Sequence, residues 1–125
     1  MGVRVVAAAA PDPSLVMALV STPRMPTPLA CDLAAIPAAE RATHQLVTRH
    51  LVSAATEIHA SGEGFSLRLP ADEYDAVTQF VARERLCCPF LKFVVVVAPD
   101  RGPLELRLSG PPGARDFIRA ELHLP

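Results

Sequence analysis

The chain has 125 residues, of which half are hydrophobic and a fifth charged, and its formal net charge is −1 at pH 7. This length suits one domain with a single core. The near-neutral charge, without a block of Lys and Arg, excludes the electrostatic signature of a nucleic-acid-binding protein. No apolar run approaches the roughly twenty residues that span a bilayer, so we expect no membrane segment and no membrane partner.

Residues 1–28 mix alanine with proline and have no sustained hydrophobic period. They predict a flexible Ala/Pro-rich N-terminal extension, followed by a single α+β domain over residues 29–125. The first residues imitate a secretion signal only weakly, because Pro11 and Pro13 interrupt the apolar run and no clear cleavage site follows. We therefore expect a cytoplasmic protein, in which an odd number of cysteines favours metal-binding or catalytic thiols over structural disulfides.

The first half of this domain predicts a helix and a hairpin. Pro37 can open the helix because its missing N–H would have no partner there. The expected buried face recurs at helical spacing and comprises His44, Val47, Leu51, Ala54 and Ile58. Residues 61–64, Ser-Gly-Glu-Gly, are a turn signal, and Phe65, Leu67 and Leu69 then alternate on a half-buried strand. Residues 56–59, before the turn, fit either a helix end or a strand.

The second half begins with another helix. Pro70 and the acidic residues that follow it favour a helix start. The expected buried face of this helix comprises Tyr74, Val77, Phe80, Val81, Glu84 and Cys88. Because the residue before a proline is disfavoured in the helical conformation, Cys88 before Pro89 predicts a helix end near Cys87.

Two more strands and a final helix complete the pattern. Residues 91–98 are a β-branched run typical of a central strand. After a turn at 100–102, Leu104, Leu106 and Leu108 alternate with polar residues on a returning strand. The last helix is expected to bury Ala114, Phe117, Ile118 and Leu122. The order α-β-β-α-β-β-α predicts a two-layer α+β sandwich, with an antiparallel sheet of about four strands and helices on one face.

The stretch Glu84-Arg85-Leu86-Cys87-Cys88-Pro89-Phe90 is the most informative part of the sequence. Adjacent cysteines cannot easily form a disulfide with each other, since neighbouring Cα atoms are about 3.8 Å apart. On a continuous helix their side chains would diverge by about 100°, but an extended Cys88 after a helical Cys87 can bring both sulfurs to one point. Thiolates placed in this way favour a soft cation such as Zn(II), Cu(I) or Hg(II). The alternative is that both cysteines pack as small hydrophobic residues.

Glu84 stands three residues before Cys87 and four before Cys88, on the same helical stripe. A carboxylate there can be a metal ligand, a proton acceptor for a thiol or the partner of an arginine. We favour an ion pair with Arg85 or Arg41. The partial negative charge at a helix C-terminus raises a thiol pKa, which favours a metal-held thiolate over a spontaneously reactive one.

Two further residues can complete a site if the fold brings them close. Cys31 precedes the first helix, and nothing in its local spacing links it to Cys87. Against the end of the second helix it would supply a third thiolate, and His44 a fourth ligand in a Cys3His arrangement. A buried histidine is more often a core residue than a ligand, however. The other histidines are expected at the surface, and they are His50, His59 and His123.

The cysteine stretch also carries a resemblance. Together with Cys31-Asp32-Leu33 and residues 104–111, it resembles short, uncharacterised bacterial proteins that have a Glu-Arg-x-Cys-Cys-Pro-Phe motif. Some of these look associated with heavy-metal resistance. The resemblance covers residues 29–122 and implies that Cys31, Cys87 and Cys88 are the positions to carry over, but it implies no established activity.

Three hypotheses follow from these patterns. The first is a soft-metal thiolate-binding protein for metal handling or resistance, in which Cys31, Cys87 and Cys88 hold a Zn, Cu or Hg ion. His44 or Glu84 would then complete or support the site. In the second, an enzyme, Cys87 or Cys88 is a nucleophile or redox centre and Glu84 takes its proton. In the third, a small interaction module, the cysteines are core residues. The sequence favours the first hypothesis.

Overall fold

The computed structural model describes residues 29–125, so the expected N-terminal extension at 1–28 lies outside the described residues. Three helices and a four-stranded antiparallel sheet follow in the predicted order, which confirms the α+β fold. Short 3-10 turns at 33–35, 38–40 and 71–73 precede the first two helices. The elements are α1 Arg41–Ala54, β1 Glu57–Ser61, β2 Gly64–Leu69, α2 Tyr74–Cys87, β3 Lys92–Val97, β4 Leu104–Ser109 and α3 Ala114–Glu121.

The sheet has the strand order β1-β2-β4-β3, with antiparallel neighbours throughout. The two hairpins therefore meet at β2 and β4, where Leu67 lies opposite Leu106. Successive side chains of a strand point to opposite faces, so the leucines of both strands share one buried face while Arg68 and Arg107 are exposed on the other. The helices cover the apolar face and make the second layer.

The core is built where the helices contact the two central strands. Leu51 comes from α1, Val77 and Phe80 from α2, and Ile118 from α3, all packed against the leucines of β2 and β4. Burying a side chain of this size contributes about 1.5–3 kcal/mol to folding. This core fixes the three helices relative to one another, and with them the residues near the end of α2.

Two expected buried positions differ in the structure. Ile58 does not belong to α1, because Ala55 adopts extended backbone angles directly after the last helical residue. Ile58 lies instead on β1 and pairs with Leu67, so residues 57–59 of the ambiguous segment belong to a strand. Tyr74, the first residue of α2, is 48% exposed and contributes little to the buried face.

The expected central position of the valine-rich strand is wrong. β3 pairs with β4 alone and forms an edge of the sheet, so its residues are half-buried or exposed. The run of β-branched residues indicated a strand but could not indicate its neighbours. The central positions belong to the alternating leucine strands, because each of them has a partner on both sides.

Candidate metal centre

The end of α2 brings two sulfur atoms together. The helix ends at Cys87, and Cys88 follows with φ −128° and ψ 67°, outside the helical region. The Cys88 N–H still donates to the Glu84 carbonyl at 2.8 Å. This local break leaves the sulfurs of the adjacent cysteines 3.6 Å apart, and both residues are fully buried. The convergence expected from the Cys-Cys-Pro sequence is therefore present.

The segment that precedes α1 brings the third sulfur to the same place. The Asp32 N–H donates to the Cys87 carbonyl at 3.0 Å, which satisfies one of the free carbonyls at a helix C-terminus. The Asp32 carboxylate in turn accepts from Ala34 N at 3.2 Å and caps the next 3-10 turn. Cys31, half-buried, thereby has its sulfur within 4.8 Å of the sulfurs of Cys87 and Cys88.

The back of this cluster is apolar. Ile36 is fully buried and packs with Cys87 and Cys88 in a small core of its own. Phe90 and Phe117 close the same side with an edge-to-face contact, with ring centroids 5.0 Å apart. Apolar walls exclude water, which strengthens electrostatic interactions at the sulfurs.

Glu84 is buried beside the cysteines and does not have the expected arginine partner. It is 2% exposed, and its Oε2 lies 2.7 Å from Nε2 of His44 on the neighbouring helix α1. Its Oε1 accepts a hydrogen bond from the Cys88 thiol at 3.3 Å. Arg41 instead donates to the Ile36 carbonyl at 2.9 Å, and Arg85 is exposed. The partner comes from α1 because α1 and α2 pack side by side with these two residues in the contact.

His44 has one nitrogen without a partner. The residue is 5% exposed and its ring stacks on Phe80, with centroids 5.8 Å apart. Nε2 is bonded to Glu84, but Nδ1 has no hydrogen-bond partner within residues 29–125. Donor atoms of His44, Glu84 and Cys87 lie within 4.8 Å of one another. Because buried polar atoms are nearly always bonded, the unpartnered nitrogen makes His44 a candidate ligand beside Cys87.

Glu121 belongs to the site although sequence reasoning missed it. Donor atoms of Glu84, Cys88 and Glu121 form a further group within 4.8 Å, and Glu121 is half-buried at the end of α3. A signal was present in the sequence. Glu121 stands four residues after Phe117 and three after Ile118, on the stripe that α3 turns toward the core.

A cavity of about 520 Å³ lies beside the cluster. Its lining includes His44, Glu84 and Glu121, together with Arg49 and His123, but none of the three cysteines. A small solute inside it would therefore meet carboxylate and imidazole groups before it met sulfur. His50, His59 and His123 are exposed, as expected.

The clustered groups shift one another's pKa values. Hydrogen bonding from Cys88, assisted by His44, lowers the pKa of Cys87 to about 6 in spite of its burial. Hydrogen bonding to Cys87, burial and the charge of Glu84 raise the pKa of Cys88 far above its ordinary value. Burial, Cys87 and Glu121 raise that of Cys31. Within the cluster, Cys87 is therefore the cysteine that loses its proton most readily.

The imidazole of His44 offers a positive charge beside the Cys87 and Glu84 side chains. Burial lowers its pKa, but the neighbouring Cys87 and Glu84 side chains outweigh that effect and raise the pKa to about 9. A bound cation would take over this role, because a metal ion favours the deprotonated form of every thiol that it contacts. The cluster can therefore hold a cation in exchange for protons.

Comparison of the chain with protein-family models, with curated proteins and with solved structures finds no match. None of the helices formed by residues 29–125 is long and apolar enough to cross a membrane.

Proposed function

We propose that the protein binds a soft metal ion through Cys31, Cys87 and Cys88. The observation that carries this proposal is the convergence of three sulfurs from two separate segments within 4.8 Å. Hydrophobic packing accounts for a buried cysteine. Hydrophobic packing does not account for the buried Glu84 carboxylate and the His44 imidazole with its free nitrogen beside the three cysteines, because unpaired polar groups are costly in a core.

The spacing of the Cys87 and Cys88 sulfurs fits a four-coordinate ion better than a linear one. Metal–sulfur bonds of about 2.3 Å at tetrahedral angles place two sulfurs about 3.8 Å apart, close to the 3.6 Å between Cys87 and Cys88. A linear arrangement with the same bonds would need about 4.6 Å. The fourth ligand would come from the His44 and Glu84 side of the cluster. Zn(II) is a candidate of this kind, and a role in heavy-metal handling rests on the motif resemblance alone.

Metal titration tests the proposal. Reduced, metal-free protein is titrated with Zn(II) in competition with a chromophoric chelator, and bound metal is measured by mass spectrometry. We expect one ion per chain, and loss of uptake in the double variant Cys87→Ser/Cys88→Ser because two of three thiolates are gone. His50→Gln, a change at an exposed histidine away from the cluster, should bind like the unchanged protein. No uptake of Zn(II), Cu(I) or Hg(II) by reduced protein would contradict the proposal.

A thiol-dependent reaction is the second candidate. It is favoured by the group of Cys87, His44 and Glu84, since a thiolate beside an imidazole oriented by a carboxylate is a common nucleophile arrangement. Against it, Cys87 is fully buried and does not line the cavity of about 520 Å³. Iodoacetamide labelling of metal-free protein near neutral pH distinguishes a metal-binding site from a thiol-dependent enzyme. We expect slow labelling of all three cysteines, and rapid labelling of Cys87 alone would favour the enzyme instead.

A further inference from the structure

We infer, on the basis of the proposed function, that a hydrated divalent cation enters this site through Glu121, and that Glu84, Cys88 and Glu121 form a first subsite. The three thiolates then hold the ion. Glu121 is accordingly a transient ligand and not a resident one.

The group of three sulfurs and the proposed first subsite share one residue. Cys88 belongs to the group of three sulfurs and also to the group that it forms with Glu84 and Glu121. An ion bound at the outer group can therefore pass inward by exchanging carboxylate oxygens for the sulfurs of Cys31 and Cys87 while it keeps its bond to Cys88. Each exchange breaks one metal–ligand bond and forms another, thiol protons leave to solvent, and no electron is transferred.

The position of the cavity sets the direction of this path. Cys31 and Glu121 are both half-buried, while Cys87, Cys88 and Glu84 are buried, so exposure alone does not rank the two groups. The adjoining cavity is lined by Glu84 and Glu121 and by no cysteine. Its wall also carries His44, the residue with the unpartnered buried nitrogen. A cation that arrives through the cavity reaches oxygen first and sulfur second.

The donor chemistry indicates the class of ion. Carboxylate oxygens suit divalent cations that still carry water, whereas thiolates suit softer ions that have shed it, and Cu(I) prefers sulfur from the outset. Arg49 lines the same cavity, so its positive charge offsets part of the field of the two carboxylates. Glu121 must then act by direct ligation and not by attracting cations from a distance.

Stopped-flow uptake of Cd(II) by the full-length, reduced chain tests this path, with thiolate-to-cadmium charge-transfer absorbance as the signal. We expect Glu121→Gln to slow association by about tenfold, as the loss of a residue that supports a metal site typically does, and to reach the same final absorbance. Glu121→Asp, which keeps the carboxylate, should recover part of the rate. Asp116→Asn removes the same charge from an exposed position on α3 and should change the rate by less than about twofold because distant charges are screened.

The outcomes are separable. Slower uptake at an unchanged final absorbance reports the loss of a transient ligand. An unchanged rate in Glu121→Gln would overturn the inference, and so would a lost final absorbance, which would make Glu121 a resident ligand. If the unchanged protein gives no charge-transfer absorbance at equilibrium, the proposed function itself fails.

Discussion

Replacing Glu84 by alanine is expected to destabilise the metal-free protein by about 3–5 kcal/mol, the usual cost of breaking a buried ion pair. The carboxylate is 2% exposed and bonds His44 at 2.7 Å on one oxygen and the Cys88 thiol at 3.3 Å on the other. Its removal leaves the buried imidazole without a partner on either nitrogen and opens a cavity between α1 and α2. The free energy of unfolding from denaturant titration at pH 7 measures the loss.

A second histidine–glutamate pair provides the control. His50 and Glu73 are also 2.7 Å apart, but the His50 side chain is 56% exposed. Glu73→Ala should therefore cost less than about 1 kcal/mol, as exposed pairs do. Glu84→Gln keeps the shape and one acceptor, so it should cost less than Glu84→Ala. Similar losses at positions 73 and 84 would mean that burial does not control the strength of this pair.

The local geometry of the site was predictable from the sequence because it depends on neighbouring residues. Pro89 forces Cys88 out of the helix, and this alone ends α2 at Cys87 and brings two sulfurs together. The alternating leucines likewise identified β2 and β4, since period two is a property of the strand itself.

The non-local part was not predictable from spacing. Cys31 joins the cluster through a backbone hydrogen bond from Asp32 to the end of α2, a contact between segments more than fifty residues apart. The partner of Glu84 was expected on its own helix or at Arg41, but the packing of α1 on α2 supplies His44 instead. A sequence pattern shows which face of a helix is buried but does not show what it meets.

The site lies where three segments meet, namely the chain before α1, the end of α2 and the end of α3. Cys31 comes from the first, Cys87 and Cys88 from the second, and Glu121 from the third. An ion at this point would cross-link the segments and stabilise the fold, because binding to the native state alone shifts the unfolding equilibrium. Metal binding and stability should therefore change together, most visibly in their dependence on pH.

The pH dependence of the unfolding free energy is expected to change when metal binds. In the metal-free protein, the pKa values of Cys31 and Cys88 are raised by burial and neighbouring groups above their ordinary value of 9.0. A thiol whose pKa is higher in the native state than in the unfolded chain contributes stability that is fully present below pH 9 and is lost as the pH rises above it. The loss should be up to about 1.4 kcal/mol per pH unit for each thiol.

Between pH 6.5 and 9 two other groups oppose each other in the metal-free protein. His44, with its pKa raised from 6.5 to about 9, loses stability as the pH rises through this window. Cys87, with its pKa lowered from 9.0 to about 6, gains stability over nearly the same window. The two contributions largely cancel, so we expect an almost flat profile up to pH 9 and a fall beyond it.

With Zn(II) bound, the unfolding free energy should rise with pH over the range in which it is nearly constant for the metal-free protein. The native state then holds its cysteines as thiolates, while the unfolded chain keeps their protons below pH 9, so stability increases with pH up to that point. Denaturant unfolding of reduced protein from pH 6.5 to 10, with and without Zn(II), measures both profiles. Cys88→Ser should remove about half of the metal-free fall above pH 9, since one of the two protonated thiols is gone. Parallel profiles with and without metal would show that the ion does not displace thiol protons, and the thiolate site would then be wrong.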